Sequence, residues 1–482
     1  VDTWDYLSLG SILRYYIDGS GSNANLTCWN SSKIFSSSVS GQRNWTQGIE
    51  WTFNIAKTYP AGTPSSIAAI SVGNNATGDG VILMRSAPTF ISYVSIGSQV
   101  TAGINLKNGA LLWGPLNQSI PLYQDISVIA TGQGVYILHN KDTNEAYGYS
   151  LSSGLQLWGP VKLTGNAFSY LSRGAEIAYG QVYIWDFGGY VTALDLQTGK
   201  INWVFTRGSA GYQTPYGIWP IWHFGSQSIG DGKLFLSEAR MYDPPLSPGM
   251  QRLAINCTDG TLVWSVLSFS GRAPGAIADG MMTQWNSYDK QIYTFGKGQT
   301  DITASIKNDI ITEGKSILVN GFVIDKSPGT QQDTQKSDFP QGVPAVSEAS
   351  MSHWMEYVYM QQARPTNTTG VPVTLSVLDS NGNYREIGTT TSNADGFYSY
   401  EWTPDITGQY TLYASFGGSE SYWPSHTYTS FVVDASAPTP TPSPMPLQSI
   451  ADMYFVPAIA GIIVVVAIVG AVLAILMLRK RP

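Results

Sequence analysis

The alternation of apolar and polar positions is clearest over 175–205 (AEIAYGQVYIWDFGGYVTALDLQTGKINWVF). There, two alternating runs, 181–187 and 190–196, are joined by Gly188-Gly189. A turn at Gln197-Thr198-Gly199 leads to a third run ending on Trp203. Period-two alternation interrupted by tight glycine turns predicts antiparallel strands. With the run before Tyr179 included, the stretch predicts a four-stranded meander of about 40 residues.

The same ending recurs along the chain. INLKNGALLW closes on Trp113, GYSLSSGLQLW on Trp158, ALDLQTGKINW on Trp203 and AINCTDGTLVW on Trp264, and a looser copy reaches Trp51. The intervals between these tryptophans are 62, 45, 45 and 61 residues. The short intervals match one propeller blade, and the long ones a blade plus a loop of about 16 residues. One meander leaves both faces bare, so each must stack on its neighbours, and the tryptophan offers a broad apolar plate for that contact. A sixth, partial copy at 278–298 has inner strands but no outer strand bearing tryptophan. The blades are expected at 1–55, 65–116, 120–160, 168–207, 212–267 and 272–298, with strands in the first at 7–17 and 24–29. Chain 1–298 is thus read as a β-propeller with about six blades visible. Because it starts at Val1 without a signal peptide, its N-terminus is expected to be processed or truncated.

Past residue 299 the texture changes. Short alternating runs at roughly ten-residue spacing, with Asn-Gly and Asp-Gly turns, predict an immunoglobulin-like β-sandwich over 299–434. An insertion holds one helix, 347–362, where Met351, Trp354, Met355 and Val358 make a single apolar stripe that predicts packing on the sandwich or the propeller. A Pro/Thr-rich stalk, 435–453, follows and stays extended. Residues 454–478 carry no charge, long enough at about 1.5 Å per residue to cross a hydrocarbon core of about 30 Å. The basic tail, 479–482, then places the C-terminus in the cytoplasm and the propeller and sandwich outside the cell, in a single-pass membrane protein.

Composition agrees with turn-rich all-β architecture: charged residues are 12%, aromatics 12%, and there are 50 glycines. A net charge of −7 offers no basic surface for nucleic acid. The two cysteines, Cys28 and Cys257, fall at different positions of the repeat in distant blades, so they read as buried apolar residues rather than a bridge. Seven N-x-S/T sites (Asn25, Asn30, Asn44, Asn75, Asn117, Asn256 and Asn367) are candidate glycosylation positions of an exported domain.

Four residues of the blade ending, Ala193, Asp195, Thr198 and Gly199, together with Trp203, match the A-x-D-x-x-T-G-x-x-x-W pattern of pyrroloquinoline-quinone-like propellers, which this repeat resembles. The wider chain, through NSYDKQIYTFGKG, GVPAVSEASMSHWMEYVY and SESYWPS, is similar to a family of archaeal membrane-anchored surface proteins. That resemblance implies a propeller, an immunoglobulin-like domain and a C-terminal anchor, and it implies no particular activity.

Catalytic signatures are missing. The four histidines are 73 to 130 residues apart, with no HExxH or Cys-x-x-Cys spacing, no phosphate loop and no G-x-S-x-G elbow. Quinoprotein dehydrogenases add a vicinal cysteine pair and a Glu/Asn calcium site, and this chain has no adjacent cysteines. The expectation is therefore no catalytic residue, no metal and no cofactor. Binding, by contrast, has a candidate in the aromatic insertion YQTPYGIWPIWHF. Tyr212, Tyr216, Trp219, Trp222 and His223, with Arg240 and Asp243 from a second insertion, could stack on a sugar or grip a protein segment. The alternative for that insertion is a plug that fills the propeller channel. The leading reading is a non-enzymatic surface protein displaying a propeller to extracellular glycan, polymer or protein. A structural envelope component with lateral self-contacts and a quinone-dependent oxidoreductase are the alternatives.

Overall fold

The computed structural model describes residues 3–6, 12–19, 23–35, 44–55, 66–71, 80–86, 97–221, 228–238, 247–269, 275–436 and 449–479. Six consecutive meanders come first. Their strands are β1 (Thr3–Tyr6), β2 (Ile12–Asp18), β3 (Asn25–Asn30) and β4 (Ile49–Asn54); β5 (Ser66–Ser71), β6 (Val81–Arg85), β7 (Gly97–Asn105) and β8 (Leu111–Ile120); β9 (Ile126–Gly132), β10 (Val135–Asn140), β11 (Glu145–Ser150) and β12 (Gln156–Lys162). Then follow β13 (Arg173–Ala178), β14 (Gln181–Asp186), β15 (Tyr190–Asp195) and β16 (Ile201–Thr206); β17 (Ser228–Gly230), β18 (Lys233–Ser237), β19 (Gln251–Asn256) and β20 (Leu262–Leu267); and β21 (Ala276–Ala278), β22 (Met281–Asn286) and β23 (Gln291–Phe295). Each pairs in chain order, giving five four-stranded sheets and a sixth of three. Of the strand expected over 7–17, residues 12–17 lie in β2, and 7–11 lie outside the described residues.

First strands of neighbouring sheets approach one another (β1 to β5, β5 to β9, β9 to β13, β17 to β21), so they converge on a common axis as in a propeller. The outer tryptophans sit in matching seams. Trp51, Trp113, Trp158 and Trp203 each lie flat on the turn glycine of the next blade, Gly109, Gly154, Gly199 and Gly260. A Cβ on any of these glycines would come within 2.5–2.6 Å of the indole. Three of the indoles also donate to the next blade, Trp113 to the Leu151 carbonyl (2.6 Å), Trp158 to Leu196 (2.9 Å) and Trp203 to Cys257 (3.1 Å). Each tryptophan lies opposite a small residue of its own third strand, Cys28, Gly103, Gly148, Ala193 or Ala254. Cys28 and Cys257 are free and buried.

Trp264 departs from this pattern. After β23 the chain runs on into the second domain, with the Gly298 N–H donating to the Ser421 carbonyl, and among the described residues no turn glycine packs on Trp264. Its ring stacks instead on Phe295, with centroids 5.5 Å apart, and tilts against Phe235.

The second domain is a β-sandwich. Its strands are β24 (Thr300–Ile302), β25 (Ser305–Ile306), β26 (Ile310–Thr312), β27 (Ile317–Asp325), β28 (Pro372–Leu378), β29 (Tyr384–Thr391), β30 (Phe397–Trp402), β31 (Gly408–Phe416) and β32 (Ser425–Asp434). One sheet joins β24, β27 and β25 with β30, and the other runs β26-β32-β31-β28-β29, with β26 parallel to β32. They enclose a single core that includes Val319, Val373, Leu375, Tyr410 and Leu412.

The helix Glu348–Met360 lies between the two domains. Trp354 and Val358 are buried, Met351 packs on the sandwich core, and the Glu356 carboxylate accepts the Leu267 N–H at the end of β20. Of the expected apolar stripe, Met351 reaches the sandwich core, Trp354, Met355 and Val358 pack on Phe339, Val343 and Val346 of the insertion itself, and a carboxylate ties the helix to the fifth blade. A C-terminal helix, Ile450–Leu478, contains a 26-residue stretch, Met453–Leu478, long and apolar enough to cross a membrane. Residues 480–482 of the expected basic tail are outside the described residues.

Candidate functional site

In the second to sixth blades the second strand, or the residue directly after it, ends on a buried polar side chain. Arg85, His139 with Asn140, Asp186, Glu238 after β18 and Asn286 occupy these strand ends, each less than a tenth exposed. All lie at the same end of the propeller, where second strands turn into third strands. Part of this polarity serves the turns themselves. Asn140 Oδ1 accepts the Asp142 N–H, Asp186 Oδ1 the Tyr190 N–H and Asn286 Oδ1 the Tyr288 N–H. The remainder meets in the seams.

Between the third and fourth blades, His139, Asn144, Ser169, Arg173 and Asp186 form one cluster. Arg173 donates through Nη1 to His139 Nε2 and to Asn144 Oδ1 (3.0 Å), and through Nη2 to the Ser169 carbonyl (2.8 Å). Because a guanidinium only donates, His139 Nε2 accepts, and the neutral ring carries its proton on Nδ1. Burial, with the Arg173 charge beside it, pushes the His139 imidazole down to about 3, so it stays neutral. Burial likewise pushes Arg173 down to about 10, against the attraction of Asp186. It raises Asp186 to about 6, opposed by hydrogen bonds from Ser169 and the Tyr190 backbone.

Beside this cluster a cavity of about 500 Å³ opens between the axial strands β9 and β13. Ser127, Lys141, Tyr170, Arg173, Glu176 and Trp185 line it, and His139 and Ser172 form part of the same wall. Tyr170 is half exposed, and burial raises the Glu176 carboxyl above its ordinary value. Gly174 makes room for Trp185, since a Cβ there would lie 2.6 Å from the indole. Among the described residues, the buried donor Trp185 Nε1 in the lining has no acceptor.

The aromatic insertion lies at the same end. Trp219 is 7% exposed and packs with Phe187, Met250 and Phe269, while Tyr216 meets Phe168 and Phe187 edge-on. The Arg207 guanidinium stacks 4.2 Å over the Trp219 ring and pairs with Glu238. Trp219 therefore fills space between the blades, while Tyr216 is half-buried. Tyr212 is fully exposed. Trp222, His223, Arg240 and Asp243 lie outside the described residues. Of the sequons, Asn44, Asn117 and Asn367 are exposed, Asn25, Asn30 and Asn256 are half-buried, and Asn75 lies outside the described residues.

The alternation pattern alone missed the cluster of His139, Arg173, Glu176 and Asp186. The available signal was a polar residue closing one buried second strand after another.

No protein-family model matches the chain, and no curated protein does. Solved structures similar to it include BamB from Moraxella catarrhalis, 13% identical, with a TM-score of 0.34 over 83% of this chain and 100% of that one. The computationally designed Ika4 protein is 10% identical, with a TM-score of 0.26 over 38% of this chain and 96% of that one. A europium-containing methanol dehydrogenase is 8% identical, with a TM-score of 0.28 over 65% of this chain and 64% of that one. Likenesses at these scores carry no argument about function.

Proposed function

We propose that this chain is a membrane-tethered, non-enzymatic binding protein. It displays the loop end of its propeller outside the cell, with an immunoglobulin-like sandwich and a Pro/Thr-rich stalk as spacer. One observation carries the reading: a rigid stack of blades gathers its buried polar strand ends and an open cavity at one end, in a chain that also has a helix able to span a membrane. A rigid scaffold supporting variable loops is the usual setting for recognition, and tethering raises the local concentration of whatever is held. The partner is an extracellular glycan, polymer or protein.

The test uses the full chain in its own membrane. Protease added outside intact cells should cleave the propeller while the C-terminal tail stays protected, and the purified chain should capture envelope material. A propeller protected on the same side as the tail would end the reading. So would steady alcohol oxidation after addition of quinone and calcium.

A structural role with lateral self-contacts is favoured by a different observation. Among the described residues the sixth sheet has three strands, and Met281, Trp285 and Ile292 stand 45%, 42% and 71% exposed on one of its faces. Sedimentation of the full chain in detergent separates the two readings: concentration-dependent arrays support the structural role, and a monomer that captures ligand supports recognition.

A further inference from the structure

We propose that the cavity between the third and fourth blades binds a neutral, polyhydroxylated ring, that is, a single sugar unit. The inference rests on the recognition reading above and gives it a ligand class. The cavity's roughly 500 Å³ lies within the range of about 300–1,000 Å³ common to small-molecule sites.

Its charges oppose one another. Lys141, Arg173 and Glu176 all line it, and Asp186, Asp125 and Asp142 act on Arg173 electrostatically. A phosphate or carboxylate ligand would meet Glu176, and a cationic ligand would meet the two bases. A neutral ligand meets neither penalty. The wall offers acceptors and donors together: the Glu176 carboxyl, the Ser127 hydroxyl and the Lys141 ammonium. Hydroxyl groups both give and accept, so they suit such a mixed lining. Deeper in the wall, Trp185 Nε1 lacks an acceptor among the described residues, and a buried unmade hydrogen bond is costly. At the rim, the half-exposed Tyr170 supplies an apolar ring that can cover the C–H face of a sugar.

The experiment uses the full chain in detergent micelles and saturation-transfer NMR. The probes are methyl α-mannopyranoside, methyl β-glucopyranoside and N-acetylglucosamine, with glucuronate, glucosamine and inorganic phosphate in parallel arms. The expected result is binding of at least one neutral probe, weakened about tenfold by Tyr170→Ala and by Glu176→Gln, as for loss of one good contact. Tyr384→Ala, at an exposed site on the sandwich, should change nothing. Tyr170 is exposed enough that its replacement leaves the fold intact, which near-UV circular dichroism verifies. Strongest binding of glucuronate or phosphate would make this an anion site and overturn the proposal, and strongest binding of glucosamine would do so in the opposite sense. Neutral binding indifferent to both substitutions, or no binding of any probe, also overturns it. If the chain still captures envelope material under those outcomes, and Tyr170→Ala does not reduce it, the broader recognition reading stands without this cavity.

Discussion

The seam between the third and fourth blades can be measured by adding a single methyl group. Gly199 has a φ of +71°, and an added Cβ would sit 2.6 Å from two carbons of the Trp158 ring. Gly232 has nearly the same backbone, φ +66°, but nothing lies within 4 Å of its added Cβ. Alanine at either site bears the left-handed penalty of about 1–2 kcal/mol. Only at Gly199 does it also drive the ring of Trp158 from its seat, an overpacking cost of about 1–3 kcal/mol more. Trp158 is 7% exposed and donates to the Leu196 carbonyl, so the ring has no free direction in which to move. Gly199→Ala should therefore lose more stability than Gly232→Ala, by about 1–3 kcal/mol, in urea denaturation of the full chain followed by tryptophan fluorescence. The double variant Trp158→Ala/Gly199→Ala sharpens the comparison. With the ring gone, the added cost of Gly199→Ala should fall to that of Gly232→Ala, because the two sites are in contact and their effects do not add. Equal losses at Gly199 and Gly232, or strict additivity in the double variant, would refute the tight tryptophan seam.

Asp186 makes a pH prediction. Its folded value is raised from 3.8 to about 6, so the native state holds the proton more tightly than the unfolded chain does. Its contribution is greatest below 3.8 and is lost as pH rises through about 6, a difference of about 3 kcal/mol. Asp186→Asn should gain stability relative to wild type across that window, and parallel stability curves from pH 3.5 to 7 would count against the assignment. Arg252 is fully buried in the seam between the fifth and sixth blades. It donates to Ser237 Oγ (2.5 Å) and Met282 Sδ (3.4 Å), while its Nε has no partner. Among the described residues it forms no ion pair. Since apolar replacement of buried charge is often neutral or stabilising, Arg252→Met should leave the melting temperature unchanged or raised; a clear drop would show that the guanidinium holds the seam.

The repeat was legible because its cause is local. A turn glycine, a tryptophan a few residues later and two alternating runs lie within one blade, and their spacing sets the sheet without reference to anything distant. The helix stripe Met351, Trp354, Met355 and Val358 was legible for the same reason, as was the uncharged C-terminal run. What packs on each was not. The carboxylate of Glu356 reaches Leu267, 89 residues earlier, and nothing in either neighbourhood announces the pairing. Trp264 carries the same local signature as Trp203 yet rests on Phe295, because the chain leaves for the sandwich where the next turn would stand.

The cavity shows the same division. His139 and Arg173 are 34 residues apart, and each read alone is a polar residue beside apolar strands. The aromatic insertion looked like a binding surface because aromatic density is visible in a line of text, whereas burial of Trp219 beneath Arg207 is not. Alternation and turn chemistry determined that this chain makes stacked meanders, a sandwich and an apolar terminal helix, since strand and helix periods are properties of neighbouring residues. Only the arrangement of blades about an axis decided which polar strand ends meet and which aromatic rings are spent as packing, since those contacts join segments that the chain itself keeps far apart.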